Sequence, residues 1–210
     1  MILLDRKIIF PNVETASQEG IVAIGGDLSS KRLVLAYKSG IFPWYNQGEP
    51  IIWYSPNPRM VLFPQDLKIA KSMHKILKDN IFKITYNQNF KEVILNCKTI
   101  KRNDQNGTWI TEEMQQAYIK LHALGIAKSV EVWQNDKLVG GLYGIDLKNI
   151  FCGESMFSKV NNASKAAFIY LAKKLEKEKY KIIDCQVYND HLASLGAVEI
   201  SRKEFIDFLK

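Results

Sequence analysis

Residues 129–155 read SVEVWQNDKLVGGLYGIDLKNIFCGES, and their pattern decides the fold. Ser129–Trp133 is built of strand formers, and the Asn135-Asp136 pair then turns the chain. Leu138–Ile145 and, after a second turn, Ile150–Gly153 repeat the same character. Short β-prone runs separated by turn residues predict a meander of antiparallel strands. Downstream, Ala163 to about Lys179 keeps the spacing of a long helix, and Lys181–Val187 reads as a returning strand. A short strand near Val198–Ile200 precedes a last helix, whose start carries the capping-box pair Ser201 and Glu204.

Thr111 caps a helix that opens with Glu112 and Glu113, the sign its dipole favours. Met114, Tyr118, Leu121 and Leu124 form the apolar stripe of that helix, and Gly125 ends it. A charged loop is expected over Lys98–Gly107, a helix over Asn89–Cys97, a strand over Phe82–Tyr86 and a helix over about Leu67–Lys78. The first part of the chain is loop-rich and holds five of the six prolines. One helix is signalled there, with Ser29 or Ser30 as cap, Leu33, Val34 and Tyr37 on one face, and Gly40 as stop. Aromatic runs follow at Phe42–Tyr45 and Ile51–Tyr54. The expected organisation is a small N-terminal domain, residues 1–58, on a larger domain, residues 59–210. Antiparallel strands, a long helix and a returning strand make the fold class α+β. Their order resembles the GNAT-type acyltransferase fold, a likeness that concerns architecture and leaves function open.

With 47% hydrophobic and 24% charged residues, the 210-residue chain can bury a sizeable core. Its net charge of +7 favours a polyanionic partner, nucleic acid or an anionic membrane face. Residues 68–102 hold nine basic side chains against Asp79 and Glu92, an excess equal to that whole net charge. Within this window Lys68, Lys71, Lys75 and Lys78 have i, i+3 and i+4 spacing, so a single helix would present them on one face. Such a row suits a phosphate backbone; it equally describes a solvated helix face. Cys97, Cys152 and Cys185 are scattered, which indicates neither a disulfide framework nor a metal site. Charges come too early at Asp5, Arg6 and Lys7 for a signal peptide, and no apolar run is long enough to span a bilayer. A soluble, cytoplasmic protein without membrane partners is expected.

Several short blocks occur in order along the chain: Gly25-Gly26-Asp27-Leu28-Ser29, Gly40-Ile41-Phe42-Pro43-Trp44, Trp53-Tyr54-Ser55-Pro56-Asn57-Pro58-Arg59 and Gly107-Thr108-Trp109-Ile110-Thr111. Val139-Gly140-Gly141-Leu142-Tyr143-Gly144, Gly153-Glu154-Ser155-Met156-Phe157-Ser158, Ile183-Asp184-Cys185-Gln186 and His191-Leu192-Ala193-Ser194-Leu195-Gly196-Ala197 follow. In this order and register the chain resembles the bacterial leucyl/phenylalanyl-tRNA–protein transferases. The segment before Gly20 is shorter than is usual there, and the tail that some members carry after the last helix is missing. The resemblance implies a GNAT-like domain with a small N-terminal domain, acting as a monomer. It implies transfer of leucine or phenylalanine, and less readily methionine, from aminoacyl-tRNA to a protein beginning with arginine or lysine, which marks that protein for degradation.

The reaction so implied is aminolysis of an ester. An α-amine with an ordinary pKa near 8 is already partly neutral at pH 7. Such an enzyme needs alignment, a proton path and stabilisation of the tetrahedral oxyanion more than it needs a strong base. The tRNA ester carries the activation, so no cofactor or metal is expected. The resemblance points to Glu154, Asp184 and Gln186 as the catalytic group. Asp184 and Gln186, two apart on one strand, would share a face. Gln186 is no base; its carbonyl oxygen would orient the amine. Asp184 either fixes Gln186 or attracts the basic acceptor, and Glu154 either binds the α-ammonium or relays its proton. Leu142, Phe151, Phe168 and Ile183 read either as ordinary core or as the apolar pocket for the donor side chain. Trp44 and Trp109 read either as packing or as stacking partners for the terminal adenine of tRNA. Two rival readings are an acetyl-CoA-dependent N-acetyltransferase and a non-enzymatic RNA-binding module. Against the first, Phe157–Lys165, ahead of the long helix, has no glycine with which to cradle a pyrophosphate. Cysteine chemistry by Cys152 or Cys185 with His191 has no motif in its favour.

Overall fold

The computed structural model describes residues 2–100 and 109–210. The described residues form two sheets. In the smaller, β1 (Leu3–Leu4), β2 (Ile21–Gly25), β3 (Phe42–Pro43) and β4 (Ile52–Tyr54) lie in the order β1-β2-β4-β3. Helix α1 (Ser30–Lys38) connects β2 to β3. The Ser29 hydroxyl accepts from the Arg32 amide at its start, and Gly40, at φ +74°, lies just past its end. A Cβ at Gly40 would come within 2.5 Å of the Ile206 terminal methyl, which would have to move, and the backbone angle itself calls for glycine.

The larger sheet holds β5 (Arg59–Leu62), β6 (Lys83–Tyr86), β7 (Ala127–Gln134), β8 (Lys137–Asp146), β9 (Ile150–Ser158), β10 (Ile182–Gln186) and β11 (Val198–Ile200). Their order is β11-β5-β10-β9-β8-β7-β6. The meander read from residues 129–155 is β7-β8-β9, each strand longer than its sequence signal. Helix α5 (Ala163–Lys177) then carries the chain over to β10, which runs parallel to β9. An antiparallel meander, a long crossover helix and one parallel neighbour make the GNAT-like arrangement that the element order predicts. Strand β5 was not legible as a strand; it pairs antiparallel with both β10 and β11 and so lies inside the sheet.

Alternation along the strands covers both faces. Leu142, Phe151 and Ile183 pack with α5, whereas their neighbours Tyr143, Cys152 and Ile182 join a second core with α3 (Phe90–Thr99) and α4 (Glu112–Ala123). That second core also takes in Leu33, Tyr37 and Trp53 of the N-terminal part. Glu131 is fully buried on this face, yet it accepts hydrogen bonds from the Ser129 and Thr85 hydroxyls and from the amides of Gln88 and Asn89. Its polarity is therefore satisfied within the fold. The remaining helices are α2 (Lys71–Lys78), α6 (Asp190–Ala193) and α7 (Arg202–Leu209), and Ser201 and Glu204 form the capping box expected for α7. No described helix is long and apolar enough to cross a membrane.

The helix predicted from Leu67 begins only at Lys71. Leu67 and Ala70 are extended, and the Lys68 amide donates to the Leu195 carbonyl, which ties this segment to the loop before β11. Lys68 thus leaves the row. Lys71, Lys75 and Lys78 remain on α2, all exposed, while Met73 anchors the opposite side. Lys101 and Arg102 of the basic window, and Gly107 and Thr108 of the Trp109 block, lie outside the described residues.

Candidate active site

Strands β9 and β10 pair only from Ile150 to Cys152 and from Ile182 to Asp184. Just beyond these pairs, both strands bulge. On β9 the register with β8 shifts between Gly153 and Ser155, leaving Glu154 as the extra residue. On β10 the register with β5 shifts between Asp184 and Gln186. Bulges re-aim side chains and end pairing, and here they do both. The opening contains a cavity of about 430 Å³. Glu154, Asp184 and Gln186 line it together with Leu142, Met156, Phe168, Leu171, Ile183 and Leu192. Trp44 and Trp109 also line it, and Trp44, Val187 and Tyr188 are among its exposed residues.

The bulge also corrects the simple expectation for Asp184 and Gln186. Two residues apart on a regular strand, they would share a face. Instead Gln186 has φ +66°, and its side chain turns toward β9. Asp184 is fully buried, and its two carboxylate oxygens accept from Arg59 Nε at 2.8 Å and Nη2 at 2.7 Å. The Gln186 amide donates to Asp184 Oδ1 at 3.0 Å, so the same carboxylate holds the bulge. Arg59 is braced on both sides, with its guanidinium 4.8 Å from the Phe42 ring centre and 4.5 Å from that of Phe205. A buried charge needs such a partner.

Glu154, 9% exposed, has different company. Its Oε2 accepts from the Tyr118 hydroxyl at 2.8 Å, and its Oε1 accepts from Gln186 Nε2 at 3.0 Å. Tyr118 in turn meets the Tyr37 hydroxyl. Burial pushes the Glu154 carboxyl up to about 7; the Tyr118 and Tyr37 hydroxyls pull it down, Asp184 adds repulsion and Arg59 opposes it. Glu154 can therefore hold or release a proton near neutrality. The bond to Gln186 also fixes the amide's orientation. An ionised carboxyl only accepts, so while Glu154 is ionised Nε2 faces it and the Gln186 oxygen is left for another donor.

The structure brings together Glu154, Asp184, Gln186, Trp44, Trp109, Leu142, Phe168 and Ile183 around one cavity. Phe151 is not on its wall; alternation puts this side chain in the core under α5. Cys152 and Cys185 are poor nucleophiles, because burial pushes both thiols up. His191 also lines the cavity, with its basicity lowered by burial and then by Lys165. At the start of α5, Asn162 provides no side-chain cap, and the Ser164 amide is already spent on the Ser158 hydroxyl. Sequence reasoning missed Arg59, Tyr37 and Tyr118. The available signal for Arg59 was a lone charge at the head of the apolar run Arg59–Leu62.

A sheet that splays after a crossover helix, with a buried carboxyl and an apolar cavity in the splay, places the chain in the GNAT-like class of folds. Residues 61–210 match the profile described as leucyl/phenylalanyl-tRNA protein transferase, and residues 26–57 match that family's N-terminal domain. The leucyl/phenylalanyl-tRNA–protein transferase of Flavobacterium johnsoniae is 66% identical over 210 residues, covering 100% of this chain and 99% of that one. The protein of the same name from Flavobacterium psychrophilum is 58% identical over 210 residues, covering both chains in full (100% of each). Among solved structures, a GCN5-related N-acetyltransferase from Kribbella flavida aligns over 85% of this chain and 63% of that one, with a TM-score of 0.41 and 8% identity. The chain belongs to the leucyl/phenylalanyl-tRNA–protein transferase family and is an aminoacyltransferase.

Proposed function

We propose that this protein transfers leucine or phenylalanine, and less readily methionine, from aminoacyl-tRNA to the α-amine of a protein that begins with arginine or lysine. The observation that carries the reading is Glu154, a buried carboxyl hydrogen-bonded to Gln186 on the wall of an apolar cavity. In this reading the donor side chain occupies the cavity between Leu142, Phe168 and Ile183. Trp44 or Trp109 stacks on the terminal adenine, and the phosphate backbone meets Lys71, Lys75 and Lys78. In this reading the small N-terminal domain is residues 1–58, and its Phe42 and Trp44 line the cavity.

The free Gln186 oxygen accepts from the incoming amine and aims its lone pair at the ester carbonyl. As the C–N bond forms, the nitrogen becomes strongly acidic and Glu154 takes its proton. The C–O bond to the ribose then breaks, and the proton passes from Glu154 to the departing oxygen. Charge and protons balance without a cofactor. Asp184, with both oxygens engaged by Arg59, serves to fix the Gln186 bulge; its charge is not free for the acceptor. Modification of such N-termini marks proteins for degradation in this family, and we assign the same outcome here.

A transfer assay with labelled leucyl-tRNA and two peptides tests the reading. One peptide begins with arginine, and the other has the same sequence with an acetylated amine. Label is expected on the free peptide alone. Label on neither, from folded protein and intact leucyl-tRNA, would overturn it.

A further inference from the structure

Both carboxylates of the site are wired to one place, the C-terminal end of α1 and the glycine just past it. Arg59, the partner of Asp184, donates from Nη1 to the Gly40 carbonyl at 3.3 Å. Tyr37, one turn earlier, meets Tyr118, which donates to Glu154. These two tyrosines are 2% and 0% exposed, and neither lines the cavity itself. Burial and then the charge of Glu154 push both phenols well above their ordinary values, so both stay protonated and can donate. Tyr118 gives its hydrogen to Glu154. While Glu154 is ionised, the hydrogen between the two phenols then comes from Tyr37. A donor into the Tyr118 oxygen makes Tyr118 a stronger donor in turn.

We propose that Tyr37 and Tyr118 are positioning residues for the transfer reaction: as a directed chain of hydroxyls running from α1 through α4, they hold Glu154 in place and favour its ionised form. Helix α1, which joins β2 to β3 of the small sheet, thereby contributes to the proton affinity of the group on β9. The inference rests on the reading of Glu154 given above. The other groups that face Glu154 are Asp184 and Cys185 on β10, Arg59 on β5, Cys152 on β9 and Tyr143 on β8, where the Tyr143 ring stands edge-on to Tyr118 at 5.6 Å. None of these changes in the variants below.

The test is a pH titration of glutamate side-chain carboxyl carbons by NMR in the full chain, with the Glu154 signal assigned by its loss in Glu154→Gln. Tyr118→Phe removes one oxygen and no packing. It should raise the Glu154 midpoint by about one pH unit, the size expected for a lost hydrogen bond to a charge. Tyr37→Phe should raise it less. The kcat at pH 7 should fall several-fold in the same order, with KM for peptide and aminoacyl-tRNA unchanged. A midpoint that stays in place in both variants overturns the relay and leaves the reading of Glu154 standing. A Glu154→Gln enzyme that works at full rate overturns that reading, and the relay with it. Should Tyr118→Phe fail to fold, Tyr37→Phe alone decides, since an unmoved midpoint there also overturns the proposal.

Discussion

Asp184 and Glu154 are buried carboxylates on neighbouring strands, facing one cavity, and their surroundings differ in kind. Asp184 meets a guanidinium through both oxygens, and that guanidinium lies between two aromatic rings and reaches a backbone carbonyl. Glu154 meets only neutral donors, a phenol and an amide. Neutral donors offset part of the cost of burying a charge, whereas an ion pair offsets far more. The Asp184 side is thus built for permanence and the Glu154 side for change of protonation. Adjacent residues of one chemical type have been given separate duties by their partners.

The largest expected effect breaks the permanent side. Asp184→Asn leaves Arg59 buried and unpaired, which costs about 3–5 kcal/mol. For a chain of this size that is a fall in Tm of roughly 10 °C, read by circular dichroism. An unchanged Tm with lost activity would reverse the two assignments, making Asp184 the reactive group.

Glu154→Gln should behave in the opposite sense. Transfer should slow by about a hundredfold or more, as for loss of a general acid–base group. Stability should rise, but only at higher pH. Folded Glu154 titrates near 7 and an unfolded glutamate near 4.3, so between these values the folded chain keeps a proton that the unfolded chain has lost. Stability contributed by this group is therefore full below about pH 4 and falls away as pH rises through about 7. The glutamine variant escapes that fall. It should gain up to roughly 3 kcal/mol over the native chain at pH 8 and nothing at pH 4. Denaturant melts at the two pH values check this, and an equal gain at both would mean that packing, not protonation, separates the variants.

How much of this was legible in the sequence follows the range of the forces involved. The meander, the caps at Ser29, Thr111 and Ser201, and the stop at Gly40 depend on local spacing and turn chemistry, and the residues declare them directly. Strand β5 was hidden, because four residues behind a proline carry no period of their own; its place depends on β10 and β11. The start of α2 differs from its sequence signal for a similar reason, since the bond that ties down Lys68 comes from Leu195. At the site, Glu154, Asp184 and Gln186 were singled out through a family resemblance, not by spacing. Tyr37 and Tyr118 sat in apolar stripes and read as core, which they also are. Their hydroxyls acquire meaning only when α1 and α4 meet 81 residues apart in sequence.

Gln186 touches both sides of the comparison and offers its finest probe. Its backbone amide rests on Asp184, its side chain rests on Glu154, and its φ of +66° is unfavourable for any residue with a Cβ. Gln186→Ala keeps the backbone angle and the bond to Asp184 but removes the amide that orients the amine. It should slow transfer by about tenfold, roughly the worth of one hydrogen bond in the transition state, and leave Tm almost unchanged, because Glu154 lines the cavity and water there replaces the lost donor. Gln186→Gly should be as slow as the alanine variant. It should also be more stable than that variant by about 1 kcal/mol, because glycine accepts the left-handed angle at no steric cost. Rate would then follow the side chain alone and stability the backbone alone, the same division that separates Glu154 from Asp184. A glycine variant faster than the alanine variant would show instead that the strained bulge itself limits the reaction, and the two duties would no longer be separable at this residue.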